Sequence, residues 1–533
     1  MKTLYYNGNI ITMAEETSPQ AVLCEDGKIT AVGRTDNLKP LADSLFDLQG
    51  KTMLPAFIDG HSHITTVANT FAIADLSRAT SVAEIIRIMK DYISSADFQD
   101  KNQFAVGFGY DNNFFTDKNH PTCKDLDEIT VDYPVIISHS SGHMGVCNSK
   151  RLRLMGLDKF TPDPQGGRIG RYPDGSPNGF LEETAFTDNT KVVKQPGYED
   201  MCRYFDAAQK EYFRYGITTI QDGFTGLKEW ALLKKLSDDH ILKADVVCYI
   251  DIAKTPQLLA DNTAYNRNYI NNLKIGGYKL FLDGSPQGRT AWMKMPYENS
   301  GDYTGYPVYT DGQVLDYVVK SVSEKQQLLC HCNGDAAVQQ FIDSYEKADR
   351  LLGTDENFRP VLVHGQLAQP SQMKLLGKLG IIASFFAAHI WQWGDVHLSN
   401  FGRRAETICP ANSAVKNNVV TTFHQDSPVL PPDMLHTVWC AVNRKTKSGR
   451  LLDRSEAVSA YDALKSITIN AAFQYGEENI KGSIETGKDA SFVILSDNPL
   501  HCEKEKINEI EVEYTILRNE TVYSKNNDKR RKP

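Results

Sequence analysis

Asp59-Gly-His61-Ser-His63 places two imidazoles at i and i+2, directly after the apolar run Thr52-Met-Leu-Pro-Ala-Phe-Ile58. On a strand such residues point to one face, so both rings can reach a single cation. Three later apolar runs each bring a further potential ligand: Lys279 in Tyr278-Lys-Leu-Phe-Leu282, His331 after Leu328-Leu-Cys330, and His364 after Val361-Leu-Val363. A fourth ends in His424-Gln-Asp426-Ser-Pro428. Core packing has no reason to set these polar groups at the ends of apolar strands. A lysine inside such a strand needs a partner, because buried charges are seldom left alone.

The elements that would position these residues are short apolar strands alternating with helical patterns. Eight candidates stand at 52–58, 216–221, 246–250, 277–282, 327–330, 361–363, 381–384 and 419–423. Continuous apolar strands separated by helices are the pattern of a parallel sheet covered on both faces. An α/β fold built on a (β/α)8 TIM barrel is therefore expected. A doubly wound open sheet is the rival, but it would place its ligand at one switch point, whereas here the polar residues end many strands.

The first 50 residues and the stretch from Gly482 to Tyr523 read as short strands punctuated by Asn7-Gly8, Asp26-Gly27 and other turns. Neither piece has enough strands for a stable sheet alone. A composite β-sandwich made by 1–55 and 475–523 is expected, with the barrel in 56–100 and 196–474. The gap from His63 to Gly216 is far too long for one strand-to-helix connection. It predicts an inserted lid subdomain over 101–195, and 524–533 reads as a polar tail.

Composition excludes other classes. The chain has 533 residues, 41% of them hydrophobic and 23% charged, which suits a globular protein with a sizeable core. With 58 basic and 67 acidic residues the net charge is −9, which gives no electrostatic footprint for nucleic acid. No apolar run approaches the roughly 20 residues that span a bilayer, so no membrane partner is expected. The N-terminal residues read as strand and turn and not as a signal peptide, and a cytoplasmic location is the default expectation. The 10 cysteines include no CxxC pair, which argues against a zinc knuckle or a disulfide framework.

Taken together, these motifs resemble the amidohydrolase superfamily, in particular its YtcJ-like branch with the N-substituted formamide deformylases. The resemblance runs from Gly50–His63 through Ser141-Gly-His143, Asn148-Ser149, Lys279, Asp283-Gly-Ser285, His331-Cys-Asn-Gly-Asp335, Val363-His-Gly-Gln366 and Asp426-Ser-Pro-Val429 to Ile467–Ala472 and Gly482-Ser-Ile484. It implies a metal-dependent hydrolase of C–N bonds other than peptide bonds. It also implies that His61, His63 and Asp426 hold a more buried metal and His331 and His364 a more exposed one. Lys279 would be carboxylated by carbon dioxide, and its carbamate would bridge both ions. Zinc is the expected metal, and His424-Gln425 departs from the Gly-Ser of many relatives.

The chemistry can be argued independently. Two dications lower the pKa of bound water from about 15.7 to roughly 7, giving a hydroxide nucleophile, while one polarises the scissile carbonyl. Asp426 is placed to take a proton and return it to the departing amine. His143 and His389 are candidates to contact the substrate carbonyl. Tyr110, Phe108, Phe385, Phe386, Trp391 and Trp393 are candidates for an apolar pocket. The expected substrate is a small, partly aromatic, N-substituted amide. A homodimer is an open arrangement. The alternatives are a metal-free regulatory or binding protein on the same scaffold, and a mononuclear deaminase that would dispense with Lys279.

Overall fold

The apolar run at 52–58 serves two sheets. Thr52–Pro55 pairs antiparallel with Phe492–Leu495, while Phe57–Ile58 opens a separate parallel sheet. The computed structural model describes residues 1–14, 19–94, 98, 104–190, 196–355 and 357–528. The chain divides into two compact units, Met1–Ile64 with Ala208–Ser427 and Pro431–Pro533, and Thr65–Ala207 with Pro428–Leu430.

In the first unit, eight strands lie side by side in chain order. They are β1 (Phe57–Ile58), β2 (Ile217–Thr225), β3 (Asp245–Asp251), β4 (Leu273–Phe281), β5 (Gln327–Cys332), β6 (Val361–His364), β7 (Ile382–Phe385) and β8 (Thr421–Phe423). Every neighbouring pair is parallel. Parallel neighbours need long crossovers, supplied here by helices such as Leu227–Asp238, Asp335–Leu352 and Pro370–Leu379. The sheet is curled, as in TIM-like folds: a Cβ added to Gly60, just after β1, would stand 3.1 Å from Thr422 Oγ1 and 3.2 Å from Phe423 O in β8.

Side chains facing inward pack into one core of Ile58, Val247, Tyr249, Leu329, Val361, Val363 and Ile382, joined by Ala471, Ala472 and Tyr475. Strand residues two apart share a face, so the inward position of Leu329 carries His331 to the same side further along β5. Apolar residues thus fill the sheet's interior, and polar residues begin where its strands end.

The terminal strands form two further sheets. One joins Asn9–Ile10, Thr52–Pro55, Phe492–Leu495, Val512–Leu517 and Glu520–Ser524; the other joins Lys28–Gly33, Ala21–Glu25, Thr3–Tyr6 and Ser44–Asp47. Tyr5, Val22, Ile29, Met53, Phe492, Ile494 and Ile516 bury one core from both. The N-terminal strands thus close their core with strands from the other end of the chain.

The second unit has its own six-stranded mixed sheet, in the order Gly167–Arg171, Pro177–Glu183, Met144–Cys147, Val135–His139, Ala105–Tyr110 and Ala74–Asp75. Helix Val82–Ser94 buries Ile85 and Met89 in a cluster with Leu76, Val135, Ile137 and Val146. This moves a boundary: the sequence placed 56–100 with the barrel, but Ala74–Asp75 pairs with Ala105–Tyr110, and the apolar side of Val82–Ser94 finds its cover there. Residues 101–103 and 191–195 of the expected insertion, and 529–533 of the tail, lie outside the described residues. Among the described residues no helix is long and apolar enough to cross a membrane.

A buried ion network fastens the C-terminal segment to β3 and β4. Lys481 Nζ lies 2.5 Å from Asp245 Oδ2 and 3.0 Å from Glu477 Oε2, Glu477 also pairs with Lys274, and Asp245 with Arg518. Burial alone would discharge Lys481, but Asp245 and Glu477 hold its pKa above the ordinary lysine value. Lys481→Met would leave two buried carboxylates short of a cation. It is expected to lower unfolding stability by about 3–5 kcal/mol, read from urea titration; a change under about 1 kcal/mol would make the network dispensable.

Candidate metal centre

His61 and His63 lie in the turn beyond β1, not on the strand itself. Close packing holds this turn, since a Cβ on Gly223 would stand 2.7 Å from His61 Nδ1 and 2.8 Å from Gln221 Oε1. His61 Nδ1 is 2.5 Å from Gln221 Oε1, while Gln221 Nε2 donates to Gly60 O at 3.1 Å and to Tyr475 Oη at 2.8 Å. Tyr475 Oη in turn donates to Asp59 O at 2.6 Å. With the amide N–H groups so engaged, the amide oxygen faces His61 and assigns the proton to Nδ1. The Nε2 lone pair is left for a cation.

Two nitrogens meet one carboxylate oxygen here. Nε2 of His61 is 3.4 Å and Nε2 of His63 3.3 Å from Asp426 Oδ1, and the ligand atoms of all three residues lie within 4.8 Å of one another. Asp426 Oδ1 is buried with no well-aligned hydrogen bond. Two imidazoles with an anionic oxygen awaiting a partner fit a divalent cation such as zinc.

Backbone conformation supports this placement. His364, which ends β6, has φ +75°, and Asp426, beyond β8, has φ +53°. Left-handed backbone at such residues costs about 1–3 kcal/mol and persists where the surroundings demand it. His364 Nε2 then stands 3.9 Å from Asp426 Oδ2.

Lys279 is fully buried, with Nζ 3.1 Å from His61 Nε2 and 5.1 Å from the centre of the Phe281 ring. Burial lowers its pKa to about 8, with Asp426 pulling the other way. His61 and His364 are held well below the usual histidine range, chiefly by burial. Burial would raise Asp426, but His364, His63 and His61 outweigh it and hold the carboxyl well below its usual range. His61 and His364 thus favour the neutral form and Asp426 the charged one, the forms that bind metal.

His331 belongs to the cluster by its ring, 4.5 Å from that of His364, but its Nε2 faces elsewhere. That atom is 3.3 Å from Gly284 O, 3.1 Å from Asn333 Nδ2 and 3.6 Å from Asp283 Oδ1. Asp283 is fixed by backbone N–H groups of Trp292, Asn333 and Gly334 at 2.7–2.9 Å. The structure therefore gathers His61, His63, Lys279, His364 and Asp426, and sets His331 against their edge.

At the strand ends, Phe281 stacks edge-on to the exposed Phe224 at 4.8 Å and lies 4.8 Å from His331, an aromatic contact unforeseen in the sequence. His389 is buried beside Phe386 and Trp393, and its Nδ1 is 3.0 Å from His397 Nε2. In the second unit, Tyr110 is buried with its hydroxyl 3.0 Å from His120 Nδ1, and His143 Nδ1 lies 2.9 Å from Glu183 Oε2. Gln221, Tyr475 and Asn333 also escaped the sequence reading, although a glutamine closing the run Ile217–Ile220 was a visible signal.

A family described as amidohydrolase matches residues 44–523. The YtcJ protein of Bacillus subtilis strain 168 is 27% identical, over 98% of this chain and 100% of its own length. The N-substituted formamide deformylase of Arthrobacter pascens is 26% identical over 96% of each chain. A crystal structure of an uncharacterized metal-dependent hydrolase from Pyrococcus horikoshii OT3 superposes with a TM-score of 0.75 at 25% identity, covering 95% of this chain and 99% of that one.

Gln221→Leu removes the partner of His61 Nδ1 while keeping the volume near constant. It is expected to weaken zinc binding by about 10–100-fold in chelator competition. An unchanged affinity would show that the ring is oriented by packing alone.

Proposed function

Because this chain belongs to the amidohydrolase family, in its YtcJ-like branch, we propose that it hydrolyses the C–N bond of small N-substituted amides at a divalent metal centre. The observation that carries this reading is the meeting of His61 Nε2, His63 Nε2 and Asp426 Oδ1. The similarity to proteins named as a metal-dependent hydrolase and a formamide deformylase supports it.

When bound, divalent metal supplies an activated water and polarises the carbonyl. His61 and His63 would hold an inner ion together with Asp426, and His364 would serve an outer one, joined by His331 once its Nε2 left Gly284 and Asn333. Asp426 accepts a proton from the attacking water and delivers it to the amine nitrogen. The water oxygen bonds to the carbonyl carbon, the C–N bond breaks, and a carboxylic acid and an amine leave. Lys279 would serve as a carbamate, its neutral amine adding to carbon dioxide and giving up a proton to solvent; among the described residues its buried Nζ has a histidine nitrogen and no carboxylate at hydrogen-bonding distance. The Phe224–Phe281 pair favours an aromatic N-substituent.

Zinc-loaded protein is expected to release benzylamine from N-benzylformamide and to stop after chelation. Turnover that survives complete metal removal, or none on any N-substituted formamide or N-acyl amine, would overturn the reading. Asp426→Asn is expected to lower kcat by about 10²–10⁴-fold with most metal retained, and an unchanged kcat would take the proton transfer away from Asp426. Lys279→Ala is expected to lose metal and activity together, with partial recovery of both in acetate or propionate. Two metals per chain and full activity without added acid would exclude the bridge.

A further inference from the structure

His424 follows β8 directly and is wholly buried, yet neither Nδ1 nor Nε2 makes a well-formed hydrogen bond among the described residues, the Ser384 backbone being the one hydrogen-bonding group that acts on the ring. Leaving a buried polar atom unpaired costs about 1–3 kcal/mol. The ring stands among the metal-binding candidates: its centre is 5.3 Å from that of His61 and 5.1 Å from that of His364, which are themselves 5.5 Å apart. Imidazoles that bind one ion through bonds of about 2.0–2.1 Å have ring centres roughly 5 Å apart. His424 thus stands at a co-ligand's spacing both from His61, of the inner position, and from His364, of the outer one.

We propose that His424 is a nitrogen ligand of the same cation centre, beside His61 and His364. Burial distinguishes this from a substrate contact: His424 is 0% exposed, so a water-sized molecule does not touch it, whereas a bare ion is smaller. His63, on the open side, is half-buried. The nitrogens of His424 lie outside the group formed by His61, His63 and Asp426, so binding includes a turn about χ2, a broad and roughly two-fold torsion.

The proposal rests on the metal-dependent reading above, and metal binding tests it without any substrate. Wild type, His424→Phe and His424→Ala are stripped of metal, checked by thermal unfolding, and titrated with zinc against a chelator and with cobalt(II) under visible absorption. His424→Phe keeps the ring volume and is expected to lose about tenfold or more in zinc affinity and to alter the cobalt bands. Added imidazole is expected to restore part of the affinity of His424→Ala. Wild-type affinity and bands in His424→Phe would overturn the proposal; if that variant does not fold, wild-type affinity in His424→Ala, unmoved by imidazole, would do so. A wild-type protein that binds neither ion would remove the metal reading and this proposal together. One that binds zinc but hydrolyses no amide would remove the hydrolase reading alone.

Discussion

The approach of His61 Nε2 and His63 Nε2 to one oxygen of Asp426 governs the rest of the molecule, because it sets the first strand of the curled sheet against the last. That approach depends on fixed ring orientation. His61 is turned by Gln221 from β2, Gln221 is held by Tyr475, and Tyr475 reaches back to the carbonyl of Asp59. A chain of hydrogen bonds therefore runs from the ligand into the apolar core, where Tyr475 packs with Ile58 and Tyr249. Ring orientation at the site and packing of the core are therefore one problem here.

Charge is divided between two regions of the first unit. In one, the buried carboxylates of Asp245 and Glu477 are each paired with two cations drawn from Lys481, Lys274 and Arg518, so the region is chemically quiet. At the metal centre, Asp426 Oδ1, both nitrogens of His424 and the Lys279 amine stand buried without a full set of partners. Desolvation pushes His61, His364 and Lys279 toward their neutral forms, while the neighbouring histidines hold the Asp426 carboxyl well below its usual range. Such unsatisfied polarity is costly in a core and useful where a cation completes it.

The order and number of the parallel strands were legible because each must be a continuous apolar run, and the polar cluster at their ends was legible because polar residues ending such runs have no packing purpose. The split of 52–58 between two sheets was hidden, since both halves are apolar and only pairing partners far along the chain tell them apart. The start of the insertion was hidden for a related reason: Ala74–Asp75 is too short to read as a strand until Ala105–Tyr110 lies beside it. Residue type predicted His331 as a ligand, but the direction of its Nε2 depends on Asn333 and Asp283, which no spacing rule reveals. Gln221 and Tyr475 stand 254 residues apart, and nothing local marks them as partners.

Anomalous diffraction at the zinc edge, from crystals grown with zinc, reads the central claim without reference to turnover. The account predicts a peak at about 2.0–2.2 Å from Nε2 of His61, Nε2 of His63 and a carboxylate oxygen of Asp426. A map with no peak among these three residues, or with its strongest peak elsewhere on the chain, would contradict it.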